Sequence, residues 1–100
     1  MAQDAGYVVV DIWRAKPGMV EEVDRLLIAA AERFRSLEGI VSVDYARLDD
    51  QPDMYLVIFR YTTKDARESF QESDELRATM SALRQVWDLE SPIYRGQTFV

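Results

Sequence analysis

Two segments of this chain are apolar on both of their faces, and nothing else in the sequence constrains the fold as much. "YVVVDIWR", residues 7–14, splits into the alternating sets Tyr7, Val9, Asp11, Trp13 and Val8, Val10, Ile12, Arg14. "MYLVIFRY", residues 54–61, behaves the same way. Successive side chains of a strand point to opposite faces, so a strand apolar in both sets needs cover on both sides. The first set of residues 7–14 carries polar groups among aromatics and suits a pocket. The second is aliphatic and suits packing on helices. Asp11 stands out, because a carboxylate in an apolar strand is costly unless it is paired, hydrogen-bonded or given a pocket.

The remaining pattern supplies the partners of these strands. "KPG" turns the chain after the first strand. Val20, Val23, Leu27, Ala30, Phe34 and Leu37 then recur at spacings of three and four, one apolar stripe on a helix over about residues 18–36. Gly39 reads as its C-terminal stop. "IVSVDYARL", residues 40–48, is a second strand, and the polar turn "DDQPD" joins it to residues 54–61 as a hairpin. Thr62 or Thr63 caps a short helix and Ser73 another, whose buried stripe is Leu76, Met80, Leu83 and Trp87. "SPIYRGQTFV", residues 91–100, closes the chain as a last strand.

The order βαββαβ predicts an α+β, ferredoxin-like domain over residues 1–100, with a four-stranded antiparallel sheet and helices on one face. Helices on one face leave the other uncovered, although the first and third strands are apolar there too. The simplest cover is a second copy of the chain, sheet against sheet, giving an isologous homodimer.

Composition narrows the chemistry. The chain has no histidine and no cysteine. That excludes a thiol nucleophile, a Ser-His-Asp triad, a His-held haem and a His- or Cys-bound metal within this chain. A general base must come from Asp, Glu, Lys or Tyr. The formal net charge of −6, with Lys and Arg spread singly, argues against nucleic acid as a partner. No run is long enough to cross a membrane, and "MAQDAG" lacks the features of a signal peptide. A cytoplasmic location is the expectation.

The strand followed by "KPG", the helix ending in "SLEGIVSVDYARL", then "MYLVIFRYTTKDARESF", "SDEL" and the closing "SPIYRGQTFV" resemble the antibiotic biosynthesis monooxygenase family of dimeric α/β barrels. The resemblance covers nearly the whole chain and implies a homodimer with a pocket between each sheet and its helices. It also implies oxidation of an aromatic polyketide, phenol or quinol by O2 with no flavin, haem or metal. In such chemistry the substrate is deprotonated to an electron-rich anion that reacts with oxygen directly. Anthrone-oxidising members carry an Asn and a Trp four residues apart on the third strand, positions held here by Val57 and Tyr61. Their Tyr early in the next helix aligns with Arg67, and their Arg after Leu in the following helix with Arg77. Ser69 stands near a position where many members have His. The haem-degrading branch requires a His ligand that this chain lacks.

These readings give the candidate site. Asp11 is either a general base with a raised pKa or the partner of an arginine such as Arg60 or Arg95. Arg77 would stabilise an anionic intermediate, and Tyr61 would hydrogen-bond a substrate oxygen. Trp13, Tyr7, Val57, Phe59 and Arg67 would bind the substrate, with Tyr55 as a further aromatic wall. Ser42 and Asp44 face the same pocket if the register of the second strand allows it. The function so described is a cofactor-independent monooxygenase. The alternative is a non-catalytic dimeric small-molecule binding or accessory protein of the same fold; the partners expected are a second copy of the chain and a small aromatic molecule.

Overall fold

The computed structural model describes residues 6–100; residues 1–5, most of the N-terminal stretch weighed above as a signal peptide, lie outside them. Strand β1 (Tyr7–Ala15) leads to helix α1 (Val20–Arg35), then strands β2 (Ile40–Leu48) and β3 (Gln51–Tyr61). Helices α2 (Lys64–Gln71) and α3 (Asp74–Leu83) follow, and two short strands, β4 (Trp87–Leu89) and β5 (Tyr94–Gln97), end the chain. The sheet is antiparallel in the order β2-β3-β1, and β4 and β5 both pair along the free edge of β1. This is an α+β fold, with all three helices on one face.

The expected single last strand is therefore broken into two. Pro92 has no N–H to donate to a ladder. The neighbouring residues satisfy β1 instead: the Glu90 N–H donates to the Ile12 carbonyl at 2.8 Å, and the Ile12 N–H donates to Ser91 Oγ at 3.0 Å. The hairpin turn is also shorter than expected. Leu48 pairs with Gln51, so Asp49 and Asp50 alone make the turn and Pro52 and Asp53 join the strand.

The helices start and stop where local chemistry directs. Thr63 Oγ1 accepts from the Ala66 N–H at 3.0 Å, and Ser73 Oγ accepts from the Leu76 N–H at 3.2 Å. Both satisfy a first-turn donor that the helix itself leaves free. Gly39, with φ of +90°, reverses the chain after α1. Its α-carbon faces α2 so closely that an added Cβ would come within 2.8 Å of Ala66 Cβ.

The core lies between the sheet and the helices. From α1 it takes Val23, Leu27, Ala30 and Phe34 of the stripe read from the sequence, together with Ala31, while Val20 and Leu37 at the ends of that stripe are only partly buried. Each large side chain buried there contributes about 1.5–3 kcal/mol. Polar ties fix α1 to the sheet and to α3. The Tyr55 hydroxyl donates to Asp24 Oδ1 at 2.7 Å, Arg47 Nη2 donates to Asp24 Oδ2 at 2.7 Å, and Arg33 Nη2 donates to Thr79 Oγ1 at 3.0 Å.

One expectation about the faces is reversed. The set Tyr7, Val9, Asp11, Trp13 faces the helices, and Tyr7, Val9 and Asp11 are buried there. The aliphatic set Val8, Val10, Ile12 faces away from the helices and is only half-buried, as are Leu56 and Ile58 beside it on β3. The aromatic rings demand the thicker layer, and only the helix side provides it.

Candidate functional site

Between the sheet and the helices lies a cavity of about 190 Å³. β1 contributes Val9, Asp11 and Trp13, and β3 contributes Val57, Phe59 and Tyr61. The antiparallel register places Asp11 opposite Val57 and Val9 opposite Phe59, so these side chains form one contiguous floor. Tyr45 extends the floor from β2, where it pairs with Val57. Leu27 and Phe34 of α1, Arg67 and Phe70 of α2, and Thr79, Met80 and Leu83 of α3 make the roof. Trp87 closes one side by stacking on Trp13, with ring centroids 4.6 Å apart and planes 16° from parallel. Phe59 is parallel-stacked against Tyr61 at 6.0 Å, and Phe34 meets Phe70 edge-on at 4.9 Å.

Asp11 is 8% exposed in this aromatic setting. Among the described residues it joins no ion pair, and its Oδ1 is buried with no hydrogen-bond partner. Burial pushes its carboxyl up from the ordinary carboxylate range; the Trp13 indole donor and the positive charge of Arg67 oppose that push in part. The arginine partners considered from the sequence do not reach it. Arg60 lies opposite Val8 on the other face of the sheet, and Arg95 is exposed on β5.

The tyrosines of the cavity are held protonated. Burial pushes the Tyr45 and Tyr61 hydroxyls well above their ordinary range, and the nearby Asp11 carboxylate adds to the effect. Both phenols are therefore hydrogen-bond donors across the working pH range.

Most sequence candidates converge here: Asp11, Trp13, Val57, Phe59, Tyr61 and Arg67 all line the cavity. Others are placed elsewhere. Arg77 is exposed on α3 and pairs with Asp74 at 3.0 Å, outside the cavity. Tyr7 is buried on the same strand face but does not line the cavity. Tyr55 is committed to Asp24 and stacks under the Arg47 guanidinium, 5.1 Å from its ring centroid. Burial and the Asp24 carboxylate push its hydroxyl up to about 12. Asp44 and Ser42 lie opposite Ile58 and Arg60, on the face away from the helices. Ser69 is exposed on α2.

Sequence reasoning missed Tyr45 and misplaced Trp87. Tyr45 is two residues from Val43, which is fully buried opposite Phe59. That alternation reaches the cavity only once the β2 register is known. Trp87 lies at the right spacing to continue the α3 stripe, but the helix ends at Leu83 and Trp87 opens β4.

Comparison with known proteins follows the same lines. The family model described as antibiotic biosynthesis monooxygenase matches residues 6–82. No curated protein matches the chain. Among solved structures, a conserved protein from Methanosarcina mazei superposes with a TM-score of 0.86 at 18% identity, covering 97% of this chain and 96% of its own. A candidate antibiotic biosynthesis monooxygenase from Deinococcus radiodurans gives 0.83 at 17% identity, covering 94% and 93%. A second, from Chloroflexus aurantiacus, gives 0.81 at 15% identity, covering 95% and 94%. At these identities the likeness is one of fold.

Proposed function

The chain belongs to the antibiotic biosynthesis monooxygenase family, and from that premise we propose that it is a cofactor-independent monooxygenase acting on a small phenolic, quinol or polyketide-like aromatic molecule. The observation that carries this reading is the Asp11 carboxylate, buried in an aromatic cavity with Oδ1 unpartnered among the described residues. A buried carboxylate with a raised pKa is a stronger base than one in water, and it faces the place where a flat substrate fits.

The chemistry follows from the lining. The Asp11 carboxylate accepts a proton from the substrate, leaving an electron-rich anion in a dry site. Arg67 offsets the negative charge, and the protonated Tyr45 and Tyr61 donate hydrogen bonds to oxygen as charge develops on it. The anion reduces O2. One oxygen atom enters the substrate as a carbonyl in place of two hydrogens, and the other leaves as water carrying them. Trp13 and Phe59 hold the ring in position. We assign the anion-stabilising role to Arg67 in place of Arg77, because Arg67 lines the cavity.

The working unit in this proposal is a homodimer. Val8, Val10, Ile12, Leu56 and Ile58 form an aliphatic surface that the chain's own helices do not reach, with Tyr94 62% exposed at its edge. A second copy packed sheet to sheet would cover it. Val57, where anthrone-oxidising members carry Asn, favours a second reading, a non-catalytic binding protein, since the cavity then has one donor fewer. Oxygen uptake with quinol and anthrone substrates decides between the two. Turnover abolished by Asp11→Asn supports the oxygenase. Saturable binding of these ligands with no oxygen consumption supports the binding protein. Among the described residues no helix is long and apolar enough to cross a membrane.

A further inference from the structure

Helix α2 carries four charged residues, and one of them faces the wrong way for a solvated helix. Lys64, Asp65 and Glu68 are exposed; Arg67 is half-buried. Arg67 shares a helix face with Phe70 and Gln71, at spacings of three and four, and all three line the cavity. Phe70 fixes where that face lies, because its ring packs on Phe59 at 5.6 Å and on Tyr61 at 6.0 Å between centroids. The positive charge of Arg67 acts on Asp11 of β1 and on Tyr61 of β3, which places it over the cavity floor.

That charge has no counterpart in the chain. Arg14, Arg25, Arg47 and Arg77 each pair with a carboxylate. Among the described residues Arg67 joins no ion pair and lies over no aromatic ring. A cation held at an apolar site is costly unless an anion meets it. The planar guanidinium fork fits a carboxylate with two parallel hydrogen bonds. A doubly charged anion fits less well, since Asp11 lines the same cavity and like charges repel strongly where water is scarce. Size sets the other limit. A dry cavity of about 150 Å³ accepts benzene, and this one is about 190 Å³. That holds one ring with a small substituent.

We propose that the cavity takes a single-ring aromatic carboxylate, its ring among the floor aromatics and its carboxylate on the Arg67 guanidinium. The inference rests on the reading of this cavity as the substrate site and adds a charge to the substrate class. Arg67 then selects the ligand before any proton moves.

Calorimetric titration near neutral pH and at low salt tests this without turnover. The probes are benzoate, its neutral isostere benzamide, and octanoate, a carboxylate with no ring. On the unmodified protein benzoate should bind about 10–100-fold tighter than benzamide, the scale of hydrogen bonds to a charged group. Octanoate should bind more weakly than benzoate. In Arg67→Gln the benzoate preference should vanish while benzamide affinity holds. Arg77→Gln, which removes the same charge outside the cavity, should keep the preference. Three results each overturn the inference: benzamide binds as tightly as benzoate, octanoate surpasses benzoate, or the preference survives Arg67→Gln. Should that variant fail to fold, the probe series on the unmodified protein still decides. The two proposals fail separately. Benzoate-selective binding with no oxygen uptake on any phenolic acid, quinol or anthrone would sink the oxygenase and leave this inference standing. Oxygen uptake on neutral quinols, with benzoate and benzamide bound alike, would do the reverse.

Discussion

On the helix-covered face of the sheet, Asp11 sits between Val9 and Trp13, buried and without an ion-pair partner among the described residues. One residue away on either side, Val10 and Ile12 point to the opposite face, where the neighbours across the strand are Ile58 and Leu56. The first face contains the buried, unpartnered polar atoms of Asp11 and Trp87; the second is mostly half-buried aliphatic side chains, with Ser42 Oγ as its one buried polar atom without a partner among the described residues. A fold under selection for stability alone would exchange these costs, moving the carboxylate out and the aliphatics in. That it does neither suggests two uses for one sheet, a ligand site on one side and an association surface on the other.

The largest effect that would break this contrast belongs to Asp11. In Asp11→Asn the shape is kept and the ionisable group is lost. Oxygen uptake per folded protein should fall about 10²–10⁴-fold, the scale of lost general-base catalysis. For the unmodified protein the rate should rise with pH through a value above the ordinary carboxylate range, since burial raises the group that must be deprotonated. A variant with undiminished turnover would remove the carboxylate from the mechanism.

The opposite face is tested by Ile58→Asp. A charge placed in a sheet-to-sheet interface should weaken the dimer by roughly 3–5 kcal/mol, the cost of an unpaired buried charge. Sedimentation equilibrium across micromolar dilution reads this directly. If the unmodified protein is already a stable monomer, the association surface is wrong and the substitution should change stability by only about 0.5 kcal/mol.

The same two faces show what a sequence can disclose. The strands, the α1 stripe and both helix caps were legible because they depend on residues close together in the chain. Asp11 was legible as an anomaly, since a charge in an apolar run needs no tertiary context to look costly. Which set faced the helices was not. Both sets are apolar, and only the layer thickness needed by Trp13, Phe59 and Tyr61 separates them. Tyr45 depended on the register between β2 and β3, and the placing of Trp87 on where α3 stops. The break in the last strand at Pro92 was not read from the sequence, nor that Ser91 Oγ would take over the ladder at Ile12.

A smaller effect sharpens the account of Asp11 as a cost to the fold. Its raised carboxyl holds a proton more tightly in the folded chain than in the unfolded one. The stability this contributes is complete below the unfolded pKa and is lost as pH rises through the folded pKa. Near neutral pH, Asp11→Asn should therefore be at least as stable as the unmodified protein, with a gain on the order of 1 kcal/mol. The gain should shrink to nothing in acid, where both side chains are neutral. Thermal unfolding at several pH values follows it. A stability loss of several kcal/mol at neutral pH would instead mark the carboxylate as a structural partner.

The smallest expected effect concerns Arg77, which the family resemblance offered as an anion stabiliser. Its side chain is 69% exposed, and its partner Asp74, three residues back on α3, is 96% exposed. A solvated pair of that kind contributes about 0.2–1 kcal/mol at most, because water screens the attraction and the long side chain must be ordered to make it. Neither residue lines the cavity, whereas Arg67 does. Arg77→Ala should leave thermal stability within about 0.5 kcal/mol and oxygen uptake within about twofold. Arg67→Ala should lower the rate by an order of magnitude or more, since it removes the one cationic side chain lining the cavity among the described residues. Steady-state oxygen uptake on the two variants, prepared side by side, separates the assignments. A large loss in Arg77→Ala with Arg67→Ala near normal would mean that α3 turns inward when substrate binds, and the charge-stabilising role would return to Arg77.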